Sequence, residues 1–212
     1  MYKDNDSDST NELQQFTVTN GNLELSQSNS LPLSSLVSSN ISGQHWQIYT
    51  TTGNYTVPQG VSSLIVEIIG AGGGGARYSS NTGNGGGGGS GAYGKTLVSV
   101  TPGEIILVTV GAGGTRYIGT SGSGGDGSSA GNTSFGSYVL ATGGAGGLNT
   151  SVGGVAGTCN TPIIISGQRC ANNSSGCPPR FYYNSYGIGG RGAGVSNGTP
   201  GNGASGVVII YW

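Results

Sequence analysis

Gly70, Gly72 and Gly75 have the spacing G-x-G-x-x-G and follow "SSLIVEIIG", an apolar run that reads as a strand. Glycines so placed can let a backbone close on a pyrophosphate, with a helix N-terminus facing the charge and an acid about 20 residues on holding the ribose. Here the residues after Gly75, "ARYSSNTGNGGGGG", cannot form that helix, and no acid stands between Glu67 and Glu104. At this density of glycine the spacing arises by chance. "GKT" at Gly94 to Thr96 fails as a phosphate loop because it sits inside a strand pattern, without the required first glycine or a following helix.

Acid–base chemistry is short of parts. Beyond residue 24 the carboxylates are Glu67, Glu104 and Asp126, and none shares a motif with another. Glu67 has apolar strand neighbours, which suits a structural role. A Ser-His-Asp site would have to combine His45 with Asp126, without a nucleophile elbow. Cys159, Cys170 and Cys177 fall in one segment with no second half-site and no nearby His, so the paired spacing of a zinc site is missing. One disulfide among the three, of unknown pairing, and three reduced thiols both stay open. The expectation is no enzyme, no cofactor and no metal.

Binding chemistry is better supplied. Eleven tyrosines are present, several beside arginine: Arg77 and Tyr78 in "ARYSS", Arg116 and Tyr117 in "TRYIG", and Arg180, Phe181, Tyr182, Tyr183 and Tyr186 in "PPRFYYNSYG". Tyr and Arg join flat apolar area to hydrogen bonding at low entropic cost, the make-up of interface hot spots. The competing reading is that these tyrosines cover strand edges and pack on glycine backbone.

The elements that must position these residues read as all-β. "QFTVTNGNLELS" alternates polar and apolar residues around Asn20-Gly21, a hairpin signal. From Gln44, "HWQIYTTTGNYTVPQGVSSLIVEIIG" gives a strand, a turn and a longer strand. "GAYGKTLVSVTPGEIILVTVGAGG" predicts a hairpin turning at Thr101-Pro102-Gly103. "NTSFGSYVLATGG" and "TPIIISG" are further strand candidates, and "GVVIIYW" is a β-branched run suited to closing a sheet. No window combines helical apolar period, an N-cap and few glycines. The organisation expected is an acidic flexible terminus (1–12), an arm (13–45) and a glycine-rich β domain (46–212). Residues 1–45 carry five acids against Lys3, whereas residues 46–212 carry six bases against three acids. No Lys/Arg cluster marks a nucleic-acid surface, no apolar run reaches the roughly 18 residues of a membrane span, and no signal peptide is visible.

Of 46 glycines, 42 lie between Gly70 and Trp212. Each ordered glycine costs roughly 0.5–1 kcal/mol relative to alanine, so interchangeable positions would waste more than a domain's whole stability. The tracts alternate with single strands that cannot fold alone, which argues against linkers. They are expected to be ordered as extended left-handed threefold helices whose backbones approach closely.

In order and spacing, "YTVPQGVSSLIVEIIGAGGGG", "GGGGGSGAYGKTLVSVTPGEIILVTVGAGG", "NTSFGSYVLATGGAGG" and "ASGVVIIYW" resemble the glycine-rich domain of bacteriophage tail-fibre and related virion surface proteins. The resemblance implies a β-sandwich or β-roll carrying projecting polyglycine II-like segments, preceded by a short N-terminal β-hairpin arm. It implies receptor contact at the tips between tracts, here through Arg77, Tyr78, Arg116, Tyr117, Leu148, Asn149 and the loop from Arg169 to Tyr186. It further implies a location on the virion surface, attachment to other virion proteins through residues 13–45, a host-surface glycan or protein as ligand, and a homo-oligomer such as a trimer. The same domain also occurs in virion proteins with structural roles, so a minor capsid or tail decoration protein is the alternative.

Overall fold

Period-two alternation decides which side of each strand is buried, and here it produces two antiparallel sheets closed face to face. The structure, a computed structural model, describes residues 16–19, 22–25, 31–32, 45–79, 83–119, 123–165, 186–193 and 198–212. Arg169, Arg180, Phe181, Tyr182, Tyr183, Cys170 and Cys177 lie outside the described residues, as does the acidic terminus 1–12. Among the described residues there is no helix.

The chain divides into two compact units, Met1–His45 and Trp46–Trp212. In the first, β1 (Phe16–Thr19), β2 (Asn22–Leu25) and β3 (Leu31–Pro32) form an antiparallel sheet in the order β1-β2-β3. Thr19 pairs with Asn22 on either side of Asn20-Gly21, the expected turn, which lies outside the described residues, and β3 adds a strand to the expected hairpin.

The second unit holds the sandwich. Its larger sheet contains β4 (Trp46–Tyr49), β6 (Ser63–Ile69), β7 (Tyr93–Ser99), β11 (Ile163–Ile165) and β12 (Val207–Tyr211), in the order β11-β7-β6-β12-β4. The smaller contains β5 (Gly53–Thr56), β8 (Ile105–Thr109), β9 (Thr133–Phe135) and β10 (Val139–Ala141), in the order β10-β9-β8-β5. Leu64, Val66, Ile68, Val98, Val208 and Ile210 of the first sheet meet Tyr55, Ile106, Val108, Phe135 and Val139 of the second. Fully burying each such side chain is worth about 1.5–3 kcal/mol. The Tyr55 ring stands 5.9 Å from Phe135 and 5.7 Å, edge-on, from Trp212, so aromatic contacts link the two sheets.

Burial of Tyr55, to which nearby Tyr49 adds, pushes its pKa from 10.0 up to about 12. The folded chain thus keeps a proton that the unfolded chain releases near pH 10. Tyr55's contribution to stability is whole below that pH and is lost as pH rises through about 12. Its hydroxyl is buried with no hydrogen-bond partner among the described residues. Tyr55→Phe is therefore expected to match or exceed the wild-type melting temperature at pH 8 and to fall less between pH 10 and 12, read by thermal denaturation across pH.

Two expectations about strands need correction. Thr101-Pro102-Gly103 does make a turn: Gly103 has φ +82°, and the Glu104 N–H donates to the Thr101 carbonyl over 3.0 Å. Yet β7 and β8 do not pair, because they belong to different sheets. Each strand has one apolar face, and facing Val98 towards Ile106 across the sandwich buries both. The turn instead bonds sideways to the β5–β6 connection, with Val57 N–H donating to Glu104 O and Gly103 N–H to Val57 O, both at 2.9 Å. The second correction concerns "NTSFGSYVLATGG", which makes two strands, β9 and β10, reversed at Gly136 with φ +50°. The closing run also sits deeper than a sheet edge: β12 lies between β6 and β4 and is buried along Val207–Ile210.

Glu67 is tied into the outer face of its own sheet. It faces away from the sandwich core at 3% exposure, accepts hydrogen bonds from Tyr93 Oη (2.9 Å) and Tyr211 Oη (3.3 Å), and pairs with Lys95 Nζ at 3.5 Å. Lys95 also stands 5.5 Å over the Tyr211 ring.

The glycine segments leave the strand ends and form one hydrogen-bonded bundle. In chain order the tracts are 70–78, 85–92, 111–117, 124–131, 142–148, 152–158, 187–193 and 201–206. Along the first, the Gly70, Gly73 and Ala76 N–H groups donate to Ala92, Gly89 and Gly86; Gly72 and Gly75 donate to Ala204 and Gly201; Gly74 and Arg77 donate to Ser128 and Gly125. Its carbonyls accept from the other three directions: Ala71 and Gly74 from Gly144 and Gly147, Gly72 and Gly75 from Gly114 and Tyr117, Gly73 and Ala76 from Gly190 and Ala193. The partner changes with a period of three, the signature of a threefold extended helix with side groups pointing to three sides. Tract 70–78 is therefore the axis of a closed ring of six neighbours, each bonded to the next, with tract 152–158 added outside.

Candidate functional site

The bundle brings the described ends of four tract pairs together at its end away from the sheets. Each pair runs strand, tract, tip, tract, strand: β6 to β7 through residues 70–92, β8 to β9 through 111–131, β10 to β11 through 142–158, with 187–206 leading into β12. Backbone and side-chain bonds lock these tips to one another. Arg77 and Gly125 exchange two N–H···O bonds of 2.9 Å, and the Tyr78 N–H donates to Ala193 O at 2.9 Å. Asp126 Oδ1 accepts the Asn149 N–H at 2.6 Å, and Ser151 Oγ donates to Asn84 O at 2.7 Å. Leu148 N–H closes its own tip on Val152 O at 2.9 Å, with Ser151 held at φ 67°, a left-handed conformation rare for a non-glycine. Loops fixed by a rigid scaffold into one surface are the usual ground for binding.

Of the residues singled out from the sequence, Arg77, Tyr78, Arg116, Tyr117, Leu148 and Asn149 are placed by the bundle. Asn149 lies in a tip, and Arg77, Tyr78, Tyr117 and Leu148 end the tracts that lead into the tips; Arg116 stands one residue back, its N–H donating to Asn202 Oδ1 at 2.9 Å. Tyr186 does not join them. It opens the seventh tract at the sheet end and packs with Ile69, Val207 and Ile209, because Gly187 N–H is tied to Ser205 O. Cys159 is a free, half-buried thiol beside Thr161.

The two placed tip tyrosines lie against glycine. A Cβ on Gly83 would stand 2.7 Å from the Tyr78 ring, and one on Gly125 or Gly119 would strike the Tyr117 ring. The Tyr117 hydroxyl bonds Ser123 Oγ at 3.1 Å. Both rings thus pack on glycine backbone while staying half-exposed. Sequence reasoning passed over Ile118, within the same "TRYIG" segment, and weighed Asp126 only for acid–base chemistry, whereas it joins the second tip to the third. An isoleucine in a tract-flanking polar loop was the available signal.

Gly70, Gly72 and Gly75 have their N–H groups committed to Ala92, Ala204 and Gly201 at 2.8–2.9 Å. Those amides are occupied within the bundle, the opposite of a cradle opened towards a phosphate.

Residues 49–180, more than half of the chain, match the family model described as glycine-rich domain. A comparison with curated proteins returns no match.

Proposed function

The chain belongs to the glycine-rich domain family, and on that footing we propose that it is a non-enzymatic virion surface protein, a tail-fibre or spike adhesin that contacts its host receptor with the distal face of the tract bundle. The observation that carries this reading is the convergence of segments that are far apart in sequence: Arg77 bonds Gly125, Tyr78 bonds Ala193 and Asn149 bonds Asp126. A rigid base, a hydrogen-bonded stalk and a loop-built end form the layout of a recognition module. In this reading residues 13–45 attach the chain to other virion proteins, copies associate as a homo-oligomer, and the protein acts outside the cell as part of a particle.

Thr150 is exposed at the apex of the third tip, whereas Thr101 is exposed at the far end of the sandwich. In particles carrying Thr150→Arg, the adsorption rate constant is expected to fall about ten-fold or more with particle assembly unchanged. Thr101→Arg is expected to leave adsorption as it is. If both variants adsorb like wild type, the distal face is no receptor contact and the structural decoration role stands in its place.

A further inference from the structure

We infer that the unit Trp46–Trp212 is closed by a C-terminal latch, the run that carries tracts 187–193 and 201–206 and strand β12. Neither sandwich nor bundle stands without it, so the two form together once the last residues are made, and open together.

The sheet supplies half of the reason. β4 opens the unit and, among the described residues, pairs with β12 alone, Tyr49 beside Val208 and Trp46 beside Tyr211. On its other side β12 runs along β6 from Ile65 to Ile69. The first strand of the unit is therefore held by the last. Val208 and Ile210 also bring fully buried side chains to the core between the sheets. Before β12 arrives, β6 has an open edge, β4 has no sheet to join, and the smaller sheet faces a gap. Pairing residues 46–49 with 208–211 closes almost the whole unit as one loop, whose entropy is lost before the contact returns anything.

The bundle supplies the other half. Tracts 187–193 and 201–206 are adjacent members of the ring of six, joined by the Gly201 N–H to Arg191 O at 2.9 Å. They close the ring between tracts 85–92 and 111–117, through Gly88 N–H to Gly190 O and Gly203 N–H to Gly114 O, both at 2.8 Å. Without them the axial tract loses the acceptors of three N–H groups: Ala204 for Gly72, Gly201 for Gly75 and Ala193 for Tyr78. It also loses the Gly190 and Ala193 N–H groups that donate to Gly73 O and Ala76 O. A glycine tract has no side chains to bury, so only such bonds and close backbone contact offset the entropy of ordering it. An open ring forfeits both along one whole side. Because one run completes both structures, neither has a stable partial form.

The test keeps the sequence intact and withholds only its end. Full-length chains are stalled on the ribosome behind a C-terminal linker. One linker is short enough to keep residues 187–212 inside the exit tunnel; the other is long enough to free them. Protease is expected to cut residues 46–186 of the short-linker chain at least about ten-fold faster than those of the long-linker chain. Equal resistance overturns the inference, since the unit then folds without its latch. In the purified full chain, hydrogen exchange reads the opening. The amides of Val208 and Ile209 in β12 and of Gly72 and Gly75 in the axial tract are expected to show protection factors within about three-fold of one another. Tract amides protected about ten-fold or more beyond those of β12 overturn it as well, because the bundle then survives release of the strand.

Discussion

Gly75→Ala is expected to lose about 3 kcal/mol or more of stability, enough to unfold much of the Trp46–Trp212 unit. The reason is contact between backbones. A Cβ on Gly75 would fall on the carbonyl carbon and oxygen of Arg191, with the Gly190 oxygen 3.1 Å away. That carbonyl cannot swing aside as a side chain could, since it accepts the Gly201 N–H at 2.9 Å. Two tracts would have to move together, breaking bonds on both sides. Backbone dihedrals are not the cause, because Gly75 is absent from the positive-φ glycines. Gly53→Ala is the control: its Cβ would meet only the Tyr49 ring, at 3.4 Å, and should cost less than about 1 kcal/mol. Chemical denaturation followed by circular dichroism separates the two, and equal midpoints would show that close tract approach does not limit stability.

Phe135→Ala is the second large effect, expected at about 3–5 kcal/mol. Phe135 is 0% exposed in β9 and stands 5.9 Å from Tyr55 and 6.1 Å from Tyr138. Truncation leaves a void between the two sheets that neither Tyr55 nor Val139 can fill without leaving its own contacts. Phe135→Leu, which keeps most of the volume, should lose no more than about 1.5 kcal/mol. A cavity effect predicts that order in urea midpoints. Equal losses in the two variants would instead point to the aromatic pairing itself.

Strand positions were legible in the sequence because alternation is local: Leu64, Val66 and Ile68 announce their shared face at spacing two. That the glycine tracts are ordered was also legible, from the entropy their number would otherwise cost. Which tract meets which was not. Gly73 donates to Gly89 and accepts from Gly190, and nothing near residue 73 carries information about residue 190. The same limit explains the Thr101–Gly103 error, since a turn signal fixes the reversal but not whether the flanking strands share a sheet. At the candidate site the Arg-Tyr segments were legible, while the roles within them were not. Tyr117 lies flat only because Gly125 arrives from another tract to receive it, and Ile118 is left outward as a result. Tyr186 looked like a loop residue by composition and became a packing residue once Gly187 anchored it at the sheet.

The threefold alternation of partners along tract 70–78 gives the bundle something like a reading frame. One residue inserted into a tract turns everything beyond it by a third of a revolution, so each N–H addresses the wrong neighbour and each absent side chain is absent in the wrong direction. Three inserted residues restore the phase and add about 9 Å of length, which the adjoining tracts must match. The tips obey no such arithmetic. Lengths can therefore drift freely at residues such as 149–151 while the tracts beneath them change only in threes and in concert, which leaves the tips free to vary on a stalk that counts.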